Sequence, residues 1–258
     1  MRNDYFSGQG EIFLAERSEG GNPVDPFVSV GDAPVFEVGL GVEKTDIRES
    51  ISGFRRTALS LQTGQNSTIT MNLRIVSEEN AALMLYGIVL EVAQSVIANE
   101  PFENGITAGE AFFLDVKGKV SSLVITDSAG GGAATVTNTK YAHDGYGYVT
   151  FLDVTGYTQP FKAAYTAAAY KKVPLLMNRM PERWLRFIGR NTAAFNGDGS
   201  FKRVMLDLYR VQFDPVETLP FIQESDVASL AVSGNALEDQ TKPITQTSSR
   251  FGDFYFLD

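Results

Sequence analysis

Apolar and polar residues alternate along most of the chain. Phe36, Val38, Leu40 and Val42 share one parity, with Glu37, Gly39, Gly41 and Glu43 on the other. Ile69, Met71, Leu73 and Ile75 alternate with Thr70, Asn72 and Arg74, and Phe112, Leu114 and Val116 continue the style with Asp115 and Lys117 opposite. A period of two puts successive side chains on opposite faces of a strand, so each run predicts a strand with one buried and one wet face. Val204, Leu206 and Leu208 begin another run, but the apolar set then shifts to Tyr209, Val211 and Phe213. A strand whose inward face changes midway predicts a bulge or a strong twist. Shorter strands are expected at residues 11–17, 57–62, 121–126, 148–154, 161–165 and 184–190. Gly197-Asp198-Gly199 signals a hairpin turn between two of the runs.

One helix stands out. Ser77 can cap it, Glu78 and Glu79 complement its N-terminal dipole, residues 81–86 are good helix formers, and Gly87 can end it. Asn80 stands where a capping box would place Glu or Gln. A second helical piece is expected over residues 88–98 and a short one over 225–230. The pattern predicts a mainly β, sandwich or barrel-type fold with one or two flanking helices. Three segments look unlike core: an N-terminal arm over 1–10, a long inter-strand loop over 43–56, and a C-terminal arm over 235–258. One β domain over 11–234 is expected between the arms, with extra strands within 100–170. Loops of 14 residues are uncommon without a job. The C-terminal arm is polar until Phe251, Phe254, Tyr255, Phe256 and Leu257, an aromatic cluster that needs something to bury against.

Composition narrows the chemistry. The 258 residues include no Cys, which excludes disulfides, Cys-ligated metals and a thiol nucleophile. The single histidine, His143, excludes multi-histidine zinc sites, and beside Asp144 it reads as a surface turn. Gly130-Gly131-Gly132 lacks the Lys-Ser/Thr of a phosphate loop and reads as a hairpin tip. Asn66-Ser67-Thr68 matches a glycosylation acceptor but is expected to be a turn. No catalytic, cofactor or metal residue is assigned. With 22 basic and 31 acidic residues the net charge is −9, unsuited to gripping a phosphate backbone. The apolar stretch 81–90 is too short for a membrane span and is expected in the core. Met1-Arg2-Asn3-Asp4 leads into no apolar segment, so cytoplasmic synthesis is expected.

The order of segments resembles the tail tube (major tail) proteins of long-tailed bacteriophages. The resemblance rests on Asp46-Ile47-Arg48-Glu49-Ser50 with Ser52-Gly53-Phe54-Arg55-Arg56 in a long loop, and on Ile69-Thr70-Met71-Asn72-Leu73 leading into Ser77-Glu78-Glu79-Asn80-Ala81-Ala82-Leu83. It continues through Tyr141, Asp144, Gly147, Gly156, Pro160 and Tyr165. It then takes in Arg183-Trp184-Leu185-Arg186-Phe187-Ile188-Gly189-Arg190-Asn191-Thr192, Val211-Gln212-Phe213-Asp214-Pro215 and Ala236-Leu237-Glu238-Asp239.

The resemblance implies a structural virion protein, made in the host cytoplasm, without enzymatic activity or cofactor. Homohexameric rings would stack head to tail into a hollow tube that conducts DNA during genome ejection. The implied partners are further copies of the chain, a tape measure protein, and tail terminator and distal tail proteins, with no membrane. Inter-ring contacts are expected from Glu43, Asp46, Arg48, Glu49, Phe54, Arg55, Arg56, Phe251, Phe254, Tyr255 and Phe256. Glu37, Glu43 and Asp115 are candidate lumen-facing acids, which would repel passing DNA. The inner tube of a contractile tail or a related secretion system is a close alternative. A carbohydrate-binding β-sandwich using Tyr146, Tyr148 and Trp184 is an alternative of another class, as is a carboxylate-based glycosidase.

Overall fold

The computed structural model describes residues 5–177, 179–222, 227–245 and 249–257. The protein is mainly β, built of antiparallel sheets, with one α-helix among the described residues. Four strands come first: β1 (Gly8–Arg17), β2 (Pro23–Ser29), β3 (Val35–Arg48) and β4 (Thr57–Leu73). Helix α1 (Glu78–Met84) follows. Then come eight short strands: β5 (Leu90–Val92), β6 (Ser95–Pro101), β7 (Ala111–Phe113), β8 (Val120–Thr126), β9 (Tyr141–His143), β10 (Tyr148–Phe151), β11 (Lys162–Ala167) and β12 (Tyr170–Lys172). β13 (Glu182–Phe195), β14 (Phe201–Phe213), β15 (Leu230–Ala236) and β16 (Gly252–Leu257) close the chain. The chain forms two compact units, Met1–Ile88 with Val173–Asp258, and Val89–Lys172. The sequence pattern predicts one domain with extra strands over 100–170; in the structure those strands build a unit with a core of its own.

The first unit is one sheet in the order β2-β1-β13-β14-β15-β4-β3, with β16 also beside β14. Ile12 and Leu14 of β1, Leu185 of β13, Leu208, Val211 and Phe213 of β14, Val232 of β15, and Ile69, Met71 and Leu73 of β4 meet in one buried cluster. A sheet whose strands share one cluster must curl around its apolar face, and Leu83 and Met84 of α1 join the same core. The face switch in β14 is a bulge. Arg183 pairs with Val211 but Leu185 pairs with Leu208, so β14 spends one more residue than β13 over that interval. That lets Leu208, Tyr209 and Val211 all be buried.

Helix α1 begins as expected: the Ser77 hydroxyl accepts the Asn80 N–H at 3.1 Å, and Glu78 and Glu79 occupy the first turn. Asn80 is buried, and its side chain donates to the carbonyls of Val30 (2.9 Å) and Ile75 (3.2 Å), fastening the helix to the loops around it. At the other end the Gly87 N–H reaches the Ala82 carbonyl at 2.9 Å, and Tyr86 takes the left-handed conformation (φ 53°).

The second unit holds three small sheets, β6-β11-β8, β7-β10-β9 and the pair β12-β5. Aromatic rings dominate its core. Phe151 stacks on Phe161 (centroids 4.9 Å) and meets Phe102 edge-on (5.2 Å). In the β5/β12 pair Leu90 lies opposite Lys172 and Val92 opposite Tyr170, so the two ends of the unit run side by side.

Several sequence expectations are corrected. Residues 88–98 hold β5 and the start of β6 rather than a second helix; the β-branched Val89, Val92, Val96 and Ile97 suit a pleated surface better. The expected helix over 225–230 falls partly outside the described residues, and Leu230 already belongs to β15. The first part of the 43–56 loop is strand: β3 continues to Arg48 and β4 starts at Thr57, leaving 49–56 as the connection. Asn66-Ser67-Thr68 lies within β4 and is not a turn. Both expected arms contain sheet: β1 starts at Gly8, and β16 pairs with β14 through Leu257 opposite Arg203 and Gly252 opposite Leu208. The strand expected over 112–116 stops at Phe113, because the Asp115 N–H turns to the Glu100 carboxylate at 2.6 Å.

Candidate assembly surface

Strands β3 and β4 pair over their whole length, from Val35 with Asn72 to Arg48 with Thr57. β15 covers β4 only from Leu73 to Thr68, where Asn235 is its last partner. Residues 40–48 and 57–67 therefore leave the sheet as a two-stranded ribbon. Nine residues at ~3.3 Å each make it about 30 Å long. Thr63 is an extra residue where Glu43 pairs with Gly64 and Lys44 with Gln62, giving the ribbon a bulge.

The ribbon is apolar where it should be wet. Leu40 (82% exposed), Val42, Ile47, Leu59 and Leu61 all face solvent, and Ile51 (93%) and Phe54 (75%) sit at the tip. Ile47 lies directly opposite Leu59. The tip is internally organised: the Glu49 N–H donates to the Arg56 carbonyl at 2.8 Å, the Ser52 hydroxyl donates to the Glu49 carboxylate, and the Arg56 guanidinium lies 5.3 Å over the Phe54 ring. Glu43, Asp46, Arg48 and Arg55 are exposed and form no ion pair with a described residue. The structure thus gathers Glu43, Asp46, Arg48, Glu49, Phe54, Arg55 and Arg56 on one projecting element. Glu37 lies on the same strand, on the same face as Glu43. Asp115 belongs to the other unit, in the loop after β7, paired with Lys117 at 3.1 Å. It therefore does not sit on the wet face of a strand as expected.

The C-terminal aromatics form part of the sheet. Phe254 and Phe256 pack edge to face (4.8 Å) yet are 48% and 75% exposed, while the Tyr209 hydroxyl donates to the Asp253 carboxylate. With Phe6, Asn191, Lys202 and Val204 the two rings line a cavity of about 520 Å³. Strands β16 and β2 end the pairing on their sides of the sheet, so each presents an edge of backbone groups.

A charged clasp holds the segment before β16, and no spacing of its residues along the chain points to it. Asp239 is fully buried and accepts from Arg17 (Nη2 2.6 Å, Nε 3.3 Å) and from the Thr241 hydroxyl (2.7 Å) and amide (2.9 Å). Glu182 bridges Arg17 (3.3 Å) and Arg210 (2.5 Å). Burial pushes the Asp239 carboxyl up, but the Thr241 and Arg17 hydrogen bonds outweigh it and hold the group below its ordinary value. Lys242 lies over the rings of Trp184 and Tyr209, at 5.2 and 5.6 Å. Trp184 is buried among Ala15, Tyr209 and Phe27, so it offers no exposed platform for a sugar.

Over residues 5–255 the chain matches the family described as "Protein of unknown function UCP028589". The chain belongs to this family. The UCP028589 match begins before β1 and ends within β16, so it spans both compact units and the ribbon. No curated protein matches the chain.

Proposed function

We propose that the protein is a structural subunit that assembles with copies of itself into stacked rings, as the tail tube of a long-tailed phage. The observation that carries this reading is the ribbon: some 30 Å of paired strand with seven large apolar side chains in water. Isolated two-stranded ribbons are marginal in water, and contiguous exposed apolar surface of this kind marks an interaction site. A ribbon on one copy and a receiving face on the next give a heterologous contact, which closes into rings or repeats along an axis. The free edges of β2 and β16 supply the lateral contacts. In such a tube, Glu37 and Glu43 are candidates for the lumen wall. Tape measure, terminator and distal tail proteins would be the further partners, and DNA would pass without being bound.

The test is negative-stain electron microscopy of the concentrated protein, alone and with the tail proteins encoded beside it. Six-fold rings or hollow tubes are expected, with stacking lost in Ile51→Asp/Phe54→Asp. Dispersed monomers under both conditions would overturn the proposal.

A further inference from the structure

The second unit exposes aromatic rings that its core does not use. Phe113 of β7 and Tyr148 of β10 are direct cross-strand partners with centroids 4.9 Å apart, and they are 79% and 40% exposed. Two residues before Tyr148, Tyr146 stands 65% exposed between Gly145 and Gly147, both at positive φ (82° and 99°). This turn is rigid. Asp144 Oδ1 accepts the amides of Tyr146 (2.7 Å) and Tyr148 (3.0 Å), and a Cβ at Gly147 would meet Val116 at 2.5 Å. Those amide bonds hold the Asp144 carboxyl below its ordinary value, so it is ionised at neutral pH with Oδ2 left as an acceptor. Next along the sheet come Ala111, Ala142 and Thr150, small residues that leave the ground beside the rings flat.

Three rings at these exposures present roughly 350–400 Å² of surface, taking ~200 Å² per ring. A stable protein interface needs ~800 Å² per partner, about twice that. The rings are also flanked by a carboxylate and two phenol hydroxyls rather than by an apolar rim. Small area, fixed rings and interleaved hydrogen-bonding groups fit a ligand that is flat and apolar on one side and ringed with hydroxyls.

We propose that the second unit carries a carbohydrate site, in which the Phe113 ring stacks on the CH face of a pyranose within a glycan chain and the Tyr148 ring, tilted 50° to it, packs against the edge of the same sugar. Asp144 Oδ2 takes up a sugar hydroxyl, and Tyr146 packs against a neighbouring sugar. The site does not depend on the assembly reading.

The experiment applies the full chain to an array of pyranose oligosaccharides and then titrates the strongest binder by calorimetry. Binding is expected, weakened about tenfold by Phe113→Ala or Tyr148→Ala and less by Tyr146→Ala. Resistance of residues 89–172 to limited proteolysis checks that the second unit of each variant is folded, since Trp184 lies in the other unit. Should Tyr148→Ala fail that check, Tyr146→Ala and Asp144→Asn carry the test. Absence of binding across the array overturns the proposal, as does binding that none of these folded variants weakens. A change of oligomeric state in Phe113→Ala without loss of glycan affinity would make the rings a protein contact and also overturn it.

Discussion

Removing the second unit is the sharpest perturbation the fold invites. Within the first unit Gly87 abuts the far end of the excision: a Cβ built there would lie 2.3 Å from the Pro174 carbonyl, and the Leu176 N–H donates to the Leu85 carbonyl at 2.8 Å. Replacing Val89–Lys172 by a linker of about four Gly and Ser residues therefore asks for no long reach. The only tryptophan, Trp184, is buried in the first unit and reports on it alone. The excised chain should keep buried Trp184 emission and a cooperative urea transition. Damage to the second unit in place should act through loop closure. Phe151→Ala empties a fully buried position and should cost that unit about 3–5 kcal/mol. Once unfolded, the insert becomes an open loop of roughly 80 residues in place of a short closed one, about four doublings of length at ~0.6 kcal/mol each. The Trp184 transition should then lose about 2.4 kcal/mol and no more. An excised chain that does not fold would refute the reasoning, as would a Trp184 transition that falls by the full 3–5 kcal/mol.

Asp239→Ala would leave the Arg17 guanidinium, which is only 12% exposed, with Glu182 as its remaining carboxylate and should cost about 1.5–3 kcal/mol by denaturant titration, with Arg17→Met added restoring part of it. Asn80→Ala removes the donor from the Val30 and Ile75 carbonyls and should cost about 1–3 kcal/mol in the same assay. Asp239 and Glu182 both titrate below their ordinary values when folded. Their stabilisation is complete above the unfolded carboxylate pKa and is lost as pH falls through the folded values, so the thermal midpoint should drop in acid. Tyr209 and Tyr165 are pushed up, by burial first and then by Asp253 and Glu100 respectively. Their contribution is complete below the unfolded phenol pKa and is lost as pH rises beyond it, so the midpoint should drop again above about pH 10.

Local signals were legible wherever one neighbour decided the outcome. The Ser77 cap, the 197–199 hairpin turn and the parity slip between Leu208 and Tyr209 each depend on residues within a few positions. The charge of 43–56 hid its pairing: Lys44, Asp46 and Arg48 read as loop, but Ile47 with Leu59 and Thr45 with Leu61 keep the ladder going. The clasp could not be read at all, because Arg17 and Asp239 lie 222 residues apart and neither carries a motif. The inserted unit was hidden for a related reason. Its alternation looks like that of its host, and only the meeting of Leu90 with Lys172 shows that it closes on itself.

The order of strands also sets a timetable. β1 can pair with its partner β13 only after the whole of Val89–Lys172 has been made. At ~5–20 residues per second that is a wait of roughly 4–17 s. Through it Ile69, Met71 and Leu73 lack the strands that will bury them, while the inserted unit, contiguous in sequence, can fold at once. The sheet is completed only when β16, the last strand of the chain, reaches β14.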